Sequence, residues 1–241
     1  MSAPLFWPSD RPGIAEGPVL YGFSPEVLPR SPAWGDDIEI TGYWFADEPD
    51  GWTPPPALEA FLAQGSKPVC IGFGSMSQRD PEGTTRLVLD AIARSRQRAI
   101  LIAGWGGLKA NELPENVFQV DSLPHSWLYP RMAAVVHHGG AGTTSAGLRA
   151  GVPAIVVPFH GDQPFWGKRV QELGAGPQPI PRNRLSAERL ANAIDIAVND
   201  QRMAQNAAEL GKKIRAENGV ARAIEGIERI AKRSVIATAA R

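Results

Sequence analysis

Residues 135–163 read Val-Val-His-His-Gly-Gly-Ala-Gly-Thr-Thr-Ser-Ala-Gly-Leu-Arg-Ala-Gly-Val-Pro-Ala-Ile-Val-Val-Pro-Phe-His-Gly-Asp-Gln. An apolar run of strand length enters a glycine-rich turn, a helical stretch follows, a proline breaks it, and a second apolar run ends in a polar loop. This order sets a helix N-terminus and the carboxyl end of a second strand around one crevice. Such a crevice suits a nucleotide diphosphate.

From about residue 57 onward the same alternation repeats, which predicts an α/β fold: a Rossmann-like parallel β-sheet flanked by helices. Strands are expected at Val69–Phe73, Ala99–Ala103, Val117–Val120, Ala134–His137 and Ala154–Val157, with a short one near Gln178–Ile180. Helices are expected at Pro81–Ser95, Gly142–Ala150, Gln163–Leu173, Ala187–Val198, Asp200–Glu217 and Val220–Lys232. Asp80 and Ser186 are in place to cap two of them, with Pro81 in a first helical turn. In the last helix Val220, Ala223, Ile224, Ile227, Ile230 and Ala231 form one apolar stripe, expected to pack against the sheet of its own domain. The first 56 residues, rich in proline, read as an interdomain linker and remnant of a preceding half, with one strand-like run at Ile38–Trp44. The remaining residues, 57–241, read as a single domain built around the nucleotide-diphosphate crevice.

Composition narrows the partners. Lysine plus arginine equal aspartate plus glutamate at 25 each, giving a formal net charge of zero and no patch suited to nucleic acid. The single cysteine, Cys70, lies in an apolar run, so no internal disulfide can form. The first residues lack a basic start and an apolar core, and no segment reaches the roughly 20 apolar residues of a membrane span. A cytoplasmic protein without a transmembrane segment is expected.

Ligands of open parallel sheets bind beyond the strands' carboxyl ends, so the loops there are the place to look. Gly72-Phe73-Gly74-Ser75 follows the first strand, with Ser75 able to donate to a phosphate oxygen. Gly104-Trp105-Gly106-Gly107 follows the second and sets an aromatic face at the rim; Asp121-Ser122-Leu123-Pro124-His125-Ser126-Trp127 follows the third. After the fourth, Gly140 and Gly142 remove side chains that would block a ligand. The free N–H groups of Gly142, Thr143 and Thr144, with the positive end of the helix dipole, face the loop. His138 adds an imidazole donor and Thr143 a hydroxyl. The competing reading is that these glycines serve tight packing. His137 is read as an ordinary strand-end residue whose side chain points to the opposite face from His138.

Other chemistries fit less well. Gly140-Ala141-Gly142-Thr143-Thr144-Ser145 has serine where a dinucleotide fingerprint needs its third glycine, although Asp162 lies about 20 residues on, where a ribose-binding acid would stand. Gly161–Arg169 lacks the spacing and final Ser/Thr of a phosphate loop, and neither Ser75 nor Ser145 sits in a nucleophile elbow. The four histidines and one cysteine show no ligand spacing, and no Asp-x-Asp pair is present to hold a divalent ion. No metal is expected, and a leaving diphosphate would be stabilised by protein groups alone.

The combination Phe-Gly-Ser-Met, Ala-Gly-Trp, Pro-His-x-Trp-Leu and His-His-Gly-Gly-Ala-Gly-Thr-Thr resembles the C-terminal donor-binding domain of the GT-B UDP-glycosyltransferases, glycosyltransferase family 1. The sterol 3-beta-glucosyltransferase branch is the most similar. The resemblance runs from about Leu20 to the final helices. It implies that His138, Gly140, Gly142 and Thr143 hold the diphosphate with Ser75 opposite, and that the loop carrying Ser122, Leu123 and His125 contacts the base. It further implies that Asp162 and Gln163 bind the sugar hydroxyls; a side-chain cap by Asp162 on the following helix is the structural alternative. Plant relatives stack a tryptophan on uracil near position 122, where this chain has serine, which leaves Trp105 and Trp127 as candidates.

By the same resemblance the activity is an inverting transfer of a hexose, expected to be glucose, from a UDP-sugar to a hydroxyl of a lipophilic acceptor such as a sterol. The UDP-sugar is a substrate, and no further cofactor is implied. The acceptor pocket and catalytic base belong to an N-terminal domain or a separate chain that this sequence does not supply, so no catalytic residue is assigned. His125 and His160 are read as donor-side or structural. The chain is therefore expected to bind UDP or UDP-glucose but to transfer poorly alone, and an uncovered interdomain face would favour a homodimer. Two alternatives stay open: a natural-product glycosyltransferase using a TDP-sugar, and a non-catalytic nucleotide-sugar binding module.

Overall fold

The computed structural model describes residues 19–74, 80–104 and 112–239, with side chains to residue 232. The chain divides into two compact units, residues 1–46 with 213–241 and residues 47–212. The sequence reading drew a single boundary after residue 56.

The larger unit is built on a five-stranded parallel sheet. Its strands are β3 (Val69–Ile71), β4 (Ala99–Ile102), β5 (Val117–Val120), β6 (Ala134–His137) and β7 (Ala154–Val156), in the order β5-β4-β3-β6-β7. The chain first winds outward from β3 to β5, then crosses back to place β6 on the other side of β3. The topological switch point therefore lies between β3 and β6, whose Val69–Ala134, Cys70–Val135 and Ile71–Val136 pairs are in register. Both faces of the sheet are covered, which explains the unbroken apolar runs. Val69, Ile71, Leu101, Val136 and Ile155 share a core with α2 (Pro81–Ser95) and α6 (Ala187–Asn199). The alternate residues Cys70, Ile100, Val135 and Ala154 are buried too. Gly147 of α4 (Ala141–Ala150) lies against Val135 and Ala154, where an added Cβ would meet Val135 at 3.3 Å.

Local chemistry sets several boundaries. The Asp80 carboxylate accepts from the Gly83 N–H at 2.8 Å with Pro81 at the first helical position, and the Ser186 hydroxyl accepts from Arg189 N–H at 3.2 Å. The last of the three prolines, Pro56, starts α1 (Pro56–Ala63), because a missing N–H costs nothing in a first turn. The short strand expected near Gln178–Ile180 does not form. Ile180 N–H does donate to Val156 O at 2.9 Å, but Pro177, Pro179 and Pro181 remove the donors a ladder would need. The unit is completed by α3 (His125–Leu128), α5 (Gln163–Glu172) and most of α7 (Gln201–Arg215).

In the smaller unit β1 (Val19–Tyr21) pairs in parallel with β2 (Ile38–Ile40). β2 falls within the strand-like run expected at Ile38–Trp44, and β1 gives it a partner in the stretch read as linker. α8 (Gly219–Ala239) packs on it through its small residues: Gly219, Ala223 and Gly226 are buried, and an added Cβ at Gly226 would meet Leu20 at 3.1 Å. Ser24 Oγ donates to Glu217 at 2.5 Å, Lys213 pairs with Glu26 at 2.8 Å, and Arg229 pairs with Glu39. This packing corrects the reading of the apolar stripe as sheet-covering core. Val220, Ile224 and Ile227 are 45%, 52% and 57% exposed, since the glycine and alanine side of the helix, not the isoleucine side, faces the strands.

Candidate nucleotide-diphosphate site

At the switch point β6 ends at His137 and α4 begins at Ala141, so His138, Gly139 and Gly140 make the whole turn. Gly139 has φ +89°, which only glycine adopts without strain, and a Cβ there would meet Val156 at 2.6 Å. A Cβ at Gly140 would lie 2.5 Å from His138 Nε2. The imidazole therefore lies directly over the turn because position 140 has no side chain. Gly74, at the end of β3, approaches the same ring from the other side, with a Cβ position 3.0 Å from His138 Cε1. Gly104, after β4, presses on Gly74 in turn. The ends of β3 and β6 thus meet at His138, with the end of β4 behind Gly74.

No side chain caps α4. Its first N–H groups, at Ala141, Gly142 and Thr143, precede any intrahelical acceptor and carry the positive end of the dipole. Thr144 N–H, expected to be free, instead donates to Gly140 O at 2.9 Å, because the helix starts one residue earlier than expected. A Cβ at Gly142 would meet nothing within 4 Å, so the space above the helix start is open. Burial holds the half-buried His138 imidazole below the ordinary histidine range; the negative charge of Asp162 acts the other way and His160 adds to the lowering. His138 Nδ1 and the buried Thr144 Oγ1 have no hydrogen-bond partner among the described residues.

His137 is fully buried, and its ring has a partner in the turn itself: Nδ1 accepts from the Gly139 N–H at 3.0 Å. Burial, with smaller contributions from His138 and His125, pushes its pKa down to about 3. His125 opens α3, stacks on Tyr129 with centroids 4.4 Å apart, and is also lowered, by burial first and His138 second. Ser122 is exposed and Leu123 half-buried in the loop before it. Trp127 does not face this crevice. Its ring lies under the Arg131 guanidinium at 4.3 Å and edge-on to Trp52 at 5.3 Å, lining a cleft with Lys67 and Pro68 before β3, at the amino ends of the strands. Ser75 and Trp105 lie outside the described residues.

The loop after β7 closes the crevice beside the turn: a Cβ at Gly139 would meet the Gln163 main-chain oxygen at 3.1 Å. Gln163 is buried, and its Oε1 accepts from the Phe159 N–H at 2.8 Å and the His160 N–H at 3.2 Å. Asp162 stands at the N-cap position of α5 but makes no side-chain cap; its Oδ2 accepts from Trp166 Nε1 at 2.8 Å. Sequence reading missed Trp166, because a donor four residues downstream leaves no capping signature. Among the described residues no group of three His, Cys, Asp or Glu side chains is arranged to hold a metal ion.

A switch-point turn with a bare helix N-terminus and an imidazole above it is a geometry suited to an anion, set in a parallel α/β domain. The fold is found in solved glycosyltransferases. A calicheamicin glycosyltransferase, CalG4, superposes with TM-score 0.73 at 22% identity, covering 91% of this chain and 53% of that one. The kitacinnamycin glycosyltransferase does so with TM-score 0.68 at 25% identity, over 87% and 54%. The architecture is the C-terminal, Rossmann-like half of a GT-B fold. Residues 86–227 match the family model described as erythromycin biosynthesis protein CIII-like, C-terminal domain, and the chain belongs to that family. It is also 44% identical over 209 residues to a sterol 3-beta-glucosyltransferase of Arabidopsis thaliana, covering 86% of this chain and 33% of that protein. To a sterol 3-beta-glucosyltransferase of Emericella nidulans it is 44% identical over 224 residues, covering 88% and 16%. The chain thus spans a third or less of these two relatives.

Proposed function

We propose that the chain is the donor-binding half of an inverting glycosyltransferase, which moves glucose from UDP-glucose to the hydroxyl of a sterol or similar lipophilic acceptor. The observation that carries this reading is the His138 turn at the switch point. Its main-chain N–H groups, helix dipole and imidazole meet where a diphosphate would lie, and 44% identity to sterol glucosyltransferases supports the choice of acceptor and sugar. In the reaction the acceptor oxygen bonds to the anomeric carbon as the bond to the diphosphate breaks. The N–H groups at Ala141, Gly142 and Thr143 stabilise the negative charge that develops on the leaving phosphate, and His138 donates to the same oxygens. The acceptor's proton goes to a base in an N-terminal acceptor-binding domain or partner chain. Ser122, Leu123 and His125 border the base, and Asp162 the sugar.

Calorimetric titration of the full chain with UDP and with thymidine diphosphate, repeated on His138→Ala, tests this. A hydrogen bond to a charged group contributes about 1.5–3 kcal/mol, so UDP should bind roughly ten- to a hundredfold more weakly to the variant. Tighter binding of thymidine diphosphate would move the donor class to TDP-sugars. UDP binding indifferent to His138 would remove the reading.

A further inference from the structure

The crevice beside the diphosphate turn presents two polar side chains, Asp162 and Gln163, and the fold has treated them differently. Gln163 is 5% exposed, and its carbonyl oxygen is committed to two main-chain donors, Phe159 and His160. It braces the loop. Asp162 is exposed, yet its carboxylate is not free to rotate: the indole N–H of Trp166, a residue only 9% exposed, holds Oδ2 at 2.8 Å. Asp162 also adjoins the diphosphate turn, since the main-chain oxygen of the next residue, Gln163, lies 3.1 Å from the Cβ position of Gly139.

An exposed aspartate at a helix start ordinarily turns back onto the helix N–H groups, where its charge is most stabilised. Here that bond is absent and a buried indole holds the group instead. With one oxygen held, the other is presented in a fixed direction as an acceptor, and a carboxylate whose rotamer is already chosen loses less entropy on meeting a hydroxyl. We propose that Trp166 is a positioning residue for sugar recognition: through its N–H it aims Asp162 so that Oδ1 accepts from hydroxyls of the hexose. Gln163 holds the loop through its carbonyl oxygen. This inference rests on the donor-site reading above.

The test compares UDP with UDP-glucose on the full chain. Trp166→Phe keeps an aromatic ring and removes only the N–H. UDP affinity is expected within about twofold of the unsubstituted chain, while UDP-glucose weakens about five- to tenfold, less than the loss of a whole hydrogen bond to a charged group because Asp162 itself remains. In an Asp162→Ala background the Trp166 substitution should add nothing. Equal loss for both ligands would assign Trp166 a purely structural role and overturn the inference. So would unchanged UDP-glucose binding in Trp166→Phe alongside a selective loss in Asp162→Ala. If Asp162→Ala itself leaves UDP-glucose unaffected, the sugar reading of Asp162 fails with it; if neither ligand binds the unsubstituted chain, the donor-site reading fails. Should Trp166→Phe not fold, the unsubstituted chain carries the test by NMR. The indole N–H resonance that Asp162→Ala displaces should shift on adding UDP-glucose and not on adding UDP, and its failure to shift would overturn the proposal.

Discussion

His137 Nδ1 accepts the Gly139 N–H at 3.0 Å, so a side chain at the end of β6 closes the turn that its neighbour His138 occupies. The bond requires an unprotonated Nδ1, and burial keeps it so by lowering the pKa to about 3. The geometry, residue i accepting from the N–H of i+2, is that of an Asx-turn. His137→Asn should therefore retain the turn and UDP binding. His137→Leu would leave the buried Gly139 N–H unmatched, at a cost of about 1–3 kcal/mol, and should weaken UDP. Denaturation midpoints and UDP titrations of the two variants check this.

The same residue sets an acid limb. Above the ordinary histidine pKa near 6.5 both folded and unfolded chains carry neutral His137, and it contributes no pH dependence. Below that value the unfolded chain takes up a proton that the folded one refuses until about pH 3. Stability should fall with pH across this window by up to about 1.4 kcal/mol per unit from this group, and the slope should be shallower in His137→Asn. Denaturant unfolding measured from pH 7 to pH 4 reads it directly.

His138 behaves oppositely once a ligand arrives. Its pKa is lowered, chiefly by burial. A diphosphate beside it would raise that pKa, so binding should take up protons between the two values and UDP affinity should increase as pH falls through them. Calorimetry in buffers of different ionisation enthalpy should report this uptake, and His138→Ala should abolish it.

Gly140 tests the packing of the imidazole. Its φ of −60° suits any residue, but a Cβ would lie 2.5 Å from His138 Nε2. Gly140→Ala should displace the ring and weaken UDP about tenfold while changing the melting temperature little. Crystallography or NMR of the variant would locate the displaced ring.

Gln163 separates bracing from contact. Gln163→Glu retains an oxygen for the Phe159 and His160 N–H groups but buries a negative charge beside Asp162, so any loss should fall equally on UDP and UDP-glucose. Gln163→Leu strands two donors and should weaken both UDP and UDP-glucose. Parallel titrations with the two ligands decide it.

Much of the larger unit could be read before any coordinates because its strands are buried on both faces and bounded by glycine and proline. α2 falls at Pro81–Ser95 as expected, since the Asp80–Pro81 start is a local signal. The turn after β6 was legible from its run of glycines, although the one whose backbone demands glycine is Gly139, at φ +89°, and not Gly140 or Gly142. What escaped depended on partners far along the chain. β1 is three residues long and forms through β2. The stripe at Val220, Ile224 and Ile227 has the period of a core, but glycine and alanine let the other side of α8 approach more closely. Trp166 was hidden because its role rests on the geometry of one indole nitrogen, which composition and spacing do not encode.

Where Gly104 meets Gly74, a Cβ would stand 2.8 Å from a main-chain oxygen, and both residues have positive φ. That end of the crevice is made of backbone touching backbone. Point mutation can block such a surface but has no side chain there to exchange for another. Under the proposed donor-site reading, a change of donor is expected to come from the outer loops that bear Asp162 and Ser122 and not from this inner wall.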